Sequence, residues 1–249
     1  MNKVAKVTLI FWVIKICATT LGETAGDLLS MTMGVGYGVS SAILISLFLV
    51  SFAAQLRAKG FHPALYWTVI LTTSTAGTTM SDYMDRTLEL GYLNGSLILV
   101  GSLAAVLTVW RLVEGTLSVS NIQTTRAEVF YWVAILFSNT LGTALGDFLA
   151  DDSGLGFMGG ALLIGGLLAL VVLAYLFTKM DRILLFWIAF VLTRPFGATF
   201  GDVLTKSPEK GGVGFGTIGS SAVLGGLLLI FVAVEHVRGR RARAVAAVE

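Results

Sequence analysis

The sequence predicts an all-α integral membrane protein. Its eight transmembrane helices form four tandem, parallel helical-hairpin repeats, with a pseudo-fourfold ring as the natural closure and two nested pairs as the alternative, and both termini lie in the cytoplasm. Three observations lead there. Hydrophobic residues fill 55% of the 249 positions and charged residues only 13%, against roughly 25% in soluble domains. Long stretches lack Asp, Glu, Lys and Arg, and a pattern running from an aromatic-Trp pair to an aspartate occurs four times.

Eight stretches are candidate spans. Residues 28–56, 63–81, 90–110, 129–146, 153–178 and 211–234 carry no charge, and each is close to the roughly 17–25 residues that cross a bilayer core. Two more, about 5–26 and 183–201, contain Lys15 with Glu23, and Arg194. Lys3 and Lys6 ahead of an apolar run look like a signal peptide, but this segment is the first copy of the repeat and is expected to stay. The whole chain, 1–249, is expected to be one membrane domain. Its repeats fall at about 5–57, 62–112, 127–178 and 182–237, and a basic cytoplasmic tail follows at 238–249.

Charge sets the orientation. In alternate connections, twelve Lys and Arg fall on one side (among them Lys3, Lys6, Arg57, Arg111, Arg126, Lys179, Arg182 and Arg238) and three, Arg86, Lys206 and Lys210, on the other. Basic loops stay in the cytoplasm, which implies a multi-pass protein of the bacterial inner membrane with both ends inside. The opposite face collects Asp27, Asp82, Asp85, Glu89, Asp147, Asp151, Asp152, Asp202 and Glu209 and is expected to attract cations.

The repeat aligns without gaps as FWVIKICATTLGETAGD (11–27), YWTVILTTSTAGTTMSD (66–82), YWVAILFSNTLGTALGD (131–147) and FWIAFVLTRPFGATFGD (186–202). A second landmark follows at VGYG (35–38), LGYL (90–93), LGFM (155–158) and, three residues late, VGFG (213–216). At about 100° per residue, the positions 7, 11 and 15 after the Trp share one helical face. That face is Thr19, Glu23, Asp27; Ser74, Thr78, Asp82; Asn139, Thr143, Asp147; and Arg194, Ala198, Asp202. Polar groups facing lipid are costly, so the stripes are expected to turn inward and outline a shared path. The pairs Gly22/Gly26, Gly77/Ser81, Gly142/Gly146 and Gly197/Gly201 have the spacing that lets membrane helices approach backbone to backbone.

Each aspartate is expected at the C-terminal end of its helix, where the dipole disfavours a carboxylate. A cation, a basic partner or protonation relieves that; otherwise the carboxyl sits in interfacial water and caps the following loop. Arg194 and Lys15 are the intramembrane bases, and Arg194 either pairs with Glu23 or stands in for a bound cation. Trp12, Trp67, Trp132 and Trp187 are expected as an aromatic belt at the cytoplasmic interface. Arg194–Pro195 breaks the pattern of the fourth copy and is expected to kink its helix.

The FW/YW opening and the G-x-x-x-[GS]-D ending of every copy resemble a bacterial membrane family known only as a repeat of unknown function. The resemblance covers about residues 5–237. It implies four two-helix repeats, each with a characteristic Trp, and carries no activity or site with it.

Three functions follow from the residues. The first is a transporter or channel for a divalent cation, with Asp27, Asp82, Asp147 and Asp202 as an outer carboxylate ring and Glu23 beneath it. Oxygen ligands suit Mg²⁺, Ca²⁺ or Mn²⁺, of which Mn²⁺ is preferred. Met31, Met33, Met80, Met84 and Met158 gather toward the same side, chiefly as packing. The second is a proton-coupled carrier of a small organic solute, whose anionic group Arg194 would bind; the third is a membrane scaffold without transport. An enzyme is not expected: a single cysteine, Cys17, and two histidines, His62 and His236, leave no zinc, iron–sulfur or haem ligand set, and neither a P-loop nor a zinc-protease motif occurs. No cofactor is expected beyond a transported cation. The bilayer, the transported ion or solute and a second copy of the chain are the partners this reading admits. Nucleic acid is not, because the basic run HVRGRRARA follows a membrane helix.

Overall fold

A computed structural model describes residues 3–122 and 124–245, the side chains of 121 and 239–245 aside. Among them are eight long helices: α1 (Leu9–Asp27), α2 (Tyr37–Arg57), α3 (Pro63–Asp82), α4 (Tyr92–Glu114), α5 (Thr125–Asp147), α6 (Gly156–Phe177), α7 (Arg182–Thr205) and α8 (Gly216–Val245). The helix starts are set locally. Thr8, Thr124 and Asp181 accept from backbone amides of the first turns of α1, α5 and α7, and Pro63 occupies the first turn of α3, where no N–H is needed. The expected tail at 238–249 continues α8 as far as Val245; 246–249 lie outside the described residues.

Seven of the eight are long and apolar enough to cross a membrane, which makes this a multi-pass membrane protein. The eighth, α3, falls short because Thr72, Thr73, Ser74, Thr75, Thr78, Thr79 and Ser81 dilute its hydropathy.

The odd helices form the inner layer: α1 packs on α3, α3 on α5, α5 on α7 and α7 back on α1. The glycines make this closure. Ser74 of α3 lies on Gly22 of α1, Asn139 of α5 on Gly77 of α3, Arg194 of α7 on Gly142 of α5, and Thr19 of α1 on Gly197 of α7. A Cβ at Gly77 would stand 2.9 Å from the Thr140 amide nitrogen, so the absent side chain is what lets the backbones meet. α7 runs through Pro195 as a continuous helix, and a Cβ at Gly142 would lie 2.9 Å from the Pro195 nitrogen. The missing N–H falls at this close approach.

The two helices of one repeat do not form the expected packed hairpin. Each even helix packs chiefly against an odd helix of the neighbouring repeat: α2 on α3, α4 on α5, α6 on α7 and α8 on α1. The reason lies in the link. After the aspartate, the first three repeats add a π-helical turn (Leu28–Thr32, Tyr83–Thr87, Phe148–Asp152) before the chain reverses. The reversal uses the glycine of the second landmark, with φ of 81° at Gly36, 71° at Gly91, 67° at Gly156 and 81° at Gly214. Only glycine adopts that backbone cheaply. The even helices make the outer layer: they are far less buried than α1, α5 and α7, and they expose Val50, Leu97, Leu170 and Leu229.

Candidate cation-binding site

The odd helices run in register, so equivalent residues form layers along the ring. At the Trp end, Tyr66 and Tyr131 meet hydroxyl to hydroxyl at 2.6 Å, and Phe11, Trp67, Trp132, Trp187 and Phe186 pack around them. Trp67, Trp132 and Trp187 are buried, so they are not the interfacial belt expected from the sequence. Their rings are consumed in closing the end of the bundle: Trp67 donates to Glu235 Oε2 at 2.6 Å and Trp187 to the Leu117 carbonyl at 3.0 Å. The next layer is Lys15, Ile70, Ile135 and Phe190, all inaccessible; the Lys15 ammonium lies 3.7 Å from the centre of the Phe190 ring and has no hydrogen-bond partner.

Arg194 dominates the layers above. It is fully buried, and its Nη1 donates to Glu23 Oε2 at 3.0 Å while its Nη2 donates to Thr78 Oγ1 at 2.5 Å and Thr143 Oγ1 at 2.7 Å. Both threonine hydroxyls donate onward to Glu23 Oε2, at 3.3 and 3.2 Å. Four stripe residues from four helices thus form one network. The level at position 7 is used differently: Thr19 donates to the Thr193 carbonyl, Asn139 donates to Thr73 Oγ1, and Ser74 Oγ has no partner.

The four aspartates form the last layer, and each is no more than 4% exposed. They do not sit in interfacial water. Nor do they end their helices, because the π-helical turns, or in α7 three further residues, continue past them. Their partners are two bases the sequence placed on the outer face. Arg86 reaches Asp82 Oδ1 at 3.1 Å and Asp147 Oδ2 at 3.3 Å; Lys206 reaches Asp202 Oδ1 at 3.0 Å and Asp27 Oδ2 at 3.3 Å. Each base binds the aspartate four residues before it and one on an adjacent helix. The signal was legible as an i,i+4 acid–base pair in the second and fourth copies, where the first and third have Met31 and Asp151. Burial disfavours the Lys206 ammonium, but Asp202 and Asp27 outweigh it and raise its pKa above that of an ordinary lysine.

Five buried carboxylates therefore face three positive charges, from Arg86, Lys206 and Arg194. Glu23, Asp147 and Asp202 each offer an oxygen within 4.8 Å of the others', a donor set of the kind hard divalent ions take. Asp27 and Asp82 lie outside that group, although Asp82 Oδ2 is buried without a hydrogen-bond partner. Met31, Met33 and Met158 are exposed and line nothing here.

No curated protein and no solved structure matches the chain. One family model, described as a Repeat of Unknown Function (DUF347), matches four times, at residues 10–61, 65–116, 130–181 and 185–241. Each match takes in one odd helix and the even helix after it. The chain therefore belongs to the DUF347 repeat family.

Proposed function

We propose that this protein is a membrane carrier for a divalent cation, bound at Glu23, Asp147 and Asp202. The observation that carries the reading is the approach of one oxygen from each of these three carboxylates to within 4.8 Å of the others, where five buried carboxylates face three bases. Three bases offset only part of that negative charge, and a buried excess of carboxylates is unfavourable unless a cation or protons share it. Mn²⁺ is the ion we favour, because it accepts all-oxygen ligation and tolerates fewer waters than Mg²⁺.

In this reading the chain crosses the bacterial inner membrane eight times with pseudo-fourfold symmetry and both termini inside. α3 counts as the eighth span because it lies between α1 and α5, and its hydroxyls at Thr68, Thr72, Thr73, Thr75 and Thr79 bond back to carbonyls of its own helix. Such bonds satisfy hydroxyls without water. The aspartate layer then faces outward and the aromatic layer inward. Arg194, Lys15 and the packed aromatics stand between the cation and the cytoplasm, which favours a carrier that rearranges over an open channel.

One observation favours a second reading. The Lys15 ammonium beneath Arg194 has no hydrogen-bond partner and would suit the anionic group of a small organic solute. Equilibrium binding separates the two. Purified protein titrated with Mn²⁺ and followed by the paramagnetic resonance of the free ion should take up one ion per chain, and Asp147→Asn and Asp202→Asn should each abolish it. Uptake unchanged in both variants would remove the cation reading.

A further inference from the structure

A groove of about 750 Å³ runs along the outside of the bundle at the seam between α7 and α1. Its walls are apolar: Trp12 and Ile16 of α1, Val172 and Leu176 of α6, and Phe186 and Ala189 of α7. The neighbouring seam between α1 and α3 is covered by α8, which touches both helices, whereas α6 packs on α7 without a comparable contact to α1. The walls belong to helices that cross the membrane, so the groove opens on acyl chains.

One end of the groove is polar. There α6 stops and α7 starts, and Arg182, Ser118 and Ser120 join the lining. Arg182 is exposed yet fixed: its guanidinium donates to the Tyr175 carbonyl at 2.5 Å and the Thr178 carbonyl at 3.3 Å and lies over the Tyr175 ring at 4.3 Å. The adjacent Asp181 carboxylate is turned into the first turn of α7, where it accepts from the Ile183 and Leu184 amides. Exposed Lys179 and Lys6 stand within a few residues of the lining, and the N-terminus of α7 adds its positive dipole end.

We propose that this groove is a binding site for an anionic phospholipid, with one acyl chain lying between α1, α6 and α7 and the phosphate at Arg182. The volume is in the range of specific ligand sites. The apolar length joined to a basic, hydroxyl-bearing end matches a lipid with a negative headgroup better than it matches a peptide or a wholly apolar molecule. The inference rests on the membrane reading but not on cation binding.

Fluorescence quenching tests it. The full chain is placed in mixed vesicles of phosphatidylglycerol and phosphatidylcholine in which only one of the two carries brominated chains, and the Trp12 signal is taken as the difference between the protein and its Trp12→Phe variant. Brominated phosphatidylglycerol should quench Trp12 about threefold more than brominated phosphatidylcholine at equal mole fraction, on the strength of headgroup attraction to basic residues. Arg182→Gln should equalise the two, and Ala189→Phe, which fills the groove, should lower quenching by both. Circular dichroism confirms that each variant keeps its helices. Equal quenching in the unaltered protein means ordinary surrounding lipid and overturns the proposal, as does a headgroup preference that survives Ala189→Phe. The readout contains no divalent cation, so failure of the cation reading leaves it untouched.

Discussion

Arg194 of α7 donates to Glu23 of α1 at 3.0 Å, and neither side chain is more than 3% exposed. The pair joins two adjacent helices of the ring, and the hydroxyls of Thr78 and Thr143 tie it to α3 and α5. A buried pair gains little over an apolar one, but stranding one partner is severe. Glu23→Gln or Arg194→Gln alone should destabilise the protein by about 3–5 kcal/mol, while the double variant should lose clearly less than the sum. Chemical unfolding in detergent measures all three; strictly additive losses would show that the two residues act independently.

The bridging bases compete with any bound cation. Arg86→Gln frees Asp82 and Asp147 from a positive charge and leaves all three carboxylates of the Glu23–Asp147–Asp202 group in place. It should therefore tighten Mn²⁺ binding by about tenfold, or about 1.4 kcal/mol, and Lys206→Gln should act in the same direction. Calorimetric titration checks this, and weaker binding in both variants would make the bases part of the cation's support instead.

Ring closure depends on absent side chains. Gly77→Leu places atoms where α5 backbone now lies and should cost about 1–3 kcal/mol or more. Gly101 of α4 has open space around its missing Cβ, so Gly101→Ala should be neutral or gain up to about 1 kcal/mol from helix propensity. Thermal unfolding of the two variants side by side separates packing from propensity.

At the opposite end, the Tyr66 and Tyr131 hydroxyls have each other at 2.6 Å, and both rings are buried. Tyr66→Phe leaves the other hydroxyl without its partner and should cost about 1–3 kcal/mol. Tyr66→Phe combined with Tyr131→Phe removes both polar groups and should recover much of that loss. A double variant as unstable as the sum of the singles would mean that each hydroxyl has its own independent role.

Much of this arrangement is visible in the residues themselves. The stripe at positions 7, 11 and 15 after each Trp turns inward because its polarity leaves no other stable placement, and the small-xxx-small pairs accept the neighbouring helices as their spacing demands. What the sequence hides is which helix each element meets. The π-helical turns of the first three repeats and the positive-φ glycines at Gly36, Gly91, Gly156 and Gly214 carry the even helices onto the next repeat, and that detour has no hydropathy signature. Trp67, Trp132 and Trp187 look like interfacial anchors because burial in an aromatic cluster and exposure at a membrane surface select the same residue. Arg86 and Lys206 look like loop charges until the helices are seen to continue past the aspartates, which puts each base one turn above its carboxylate.

Transport as proposed requires a divalent cation to move through the Glu23–Asp147–Asp202 group. The most direct measurement is Mn²⁺ entry into liposomes that hold the reconstituted protein and a metal-sensitive dye. It should be made for the unaltered chain, for Asp147→Asn, and for Asp151→Asn, whose aspartate is exposed and outside the group. Entry is expected for the unaltered chain and Asp151→Asn, and none for Asp147→Asn. Equal entry in all three, or entry in none, would contradict it.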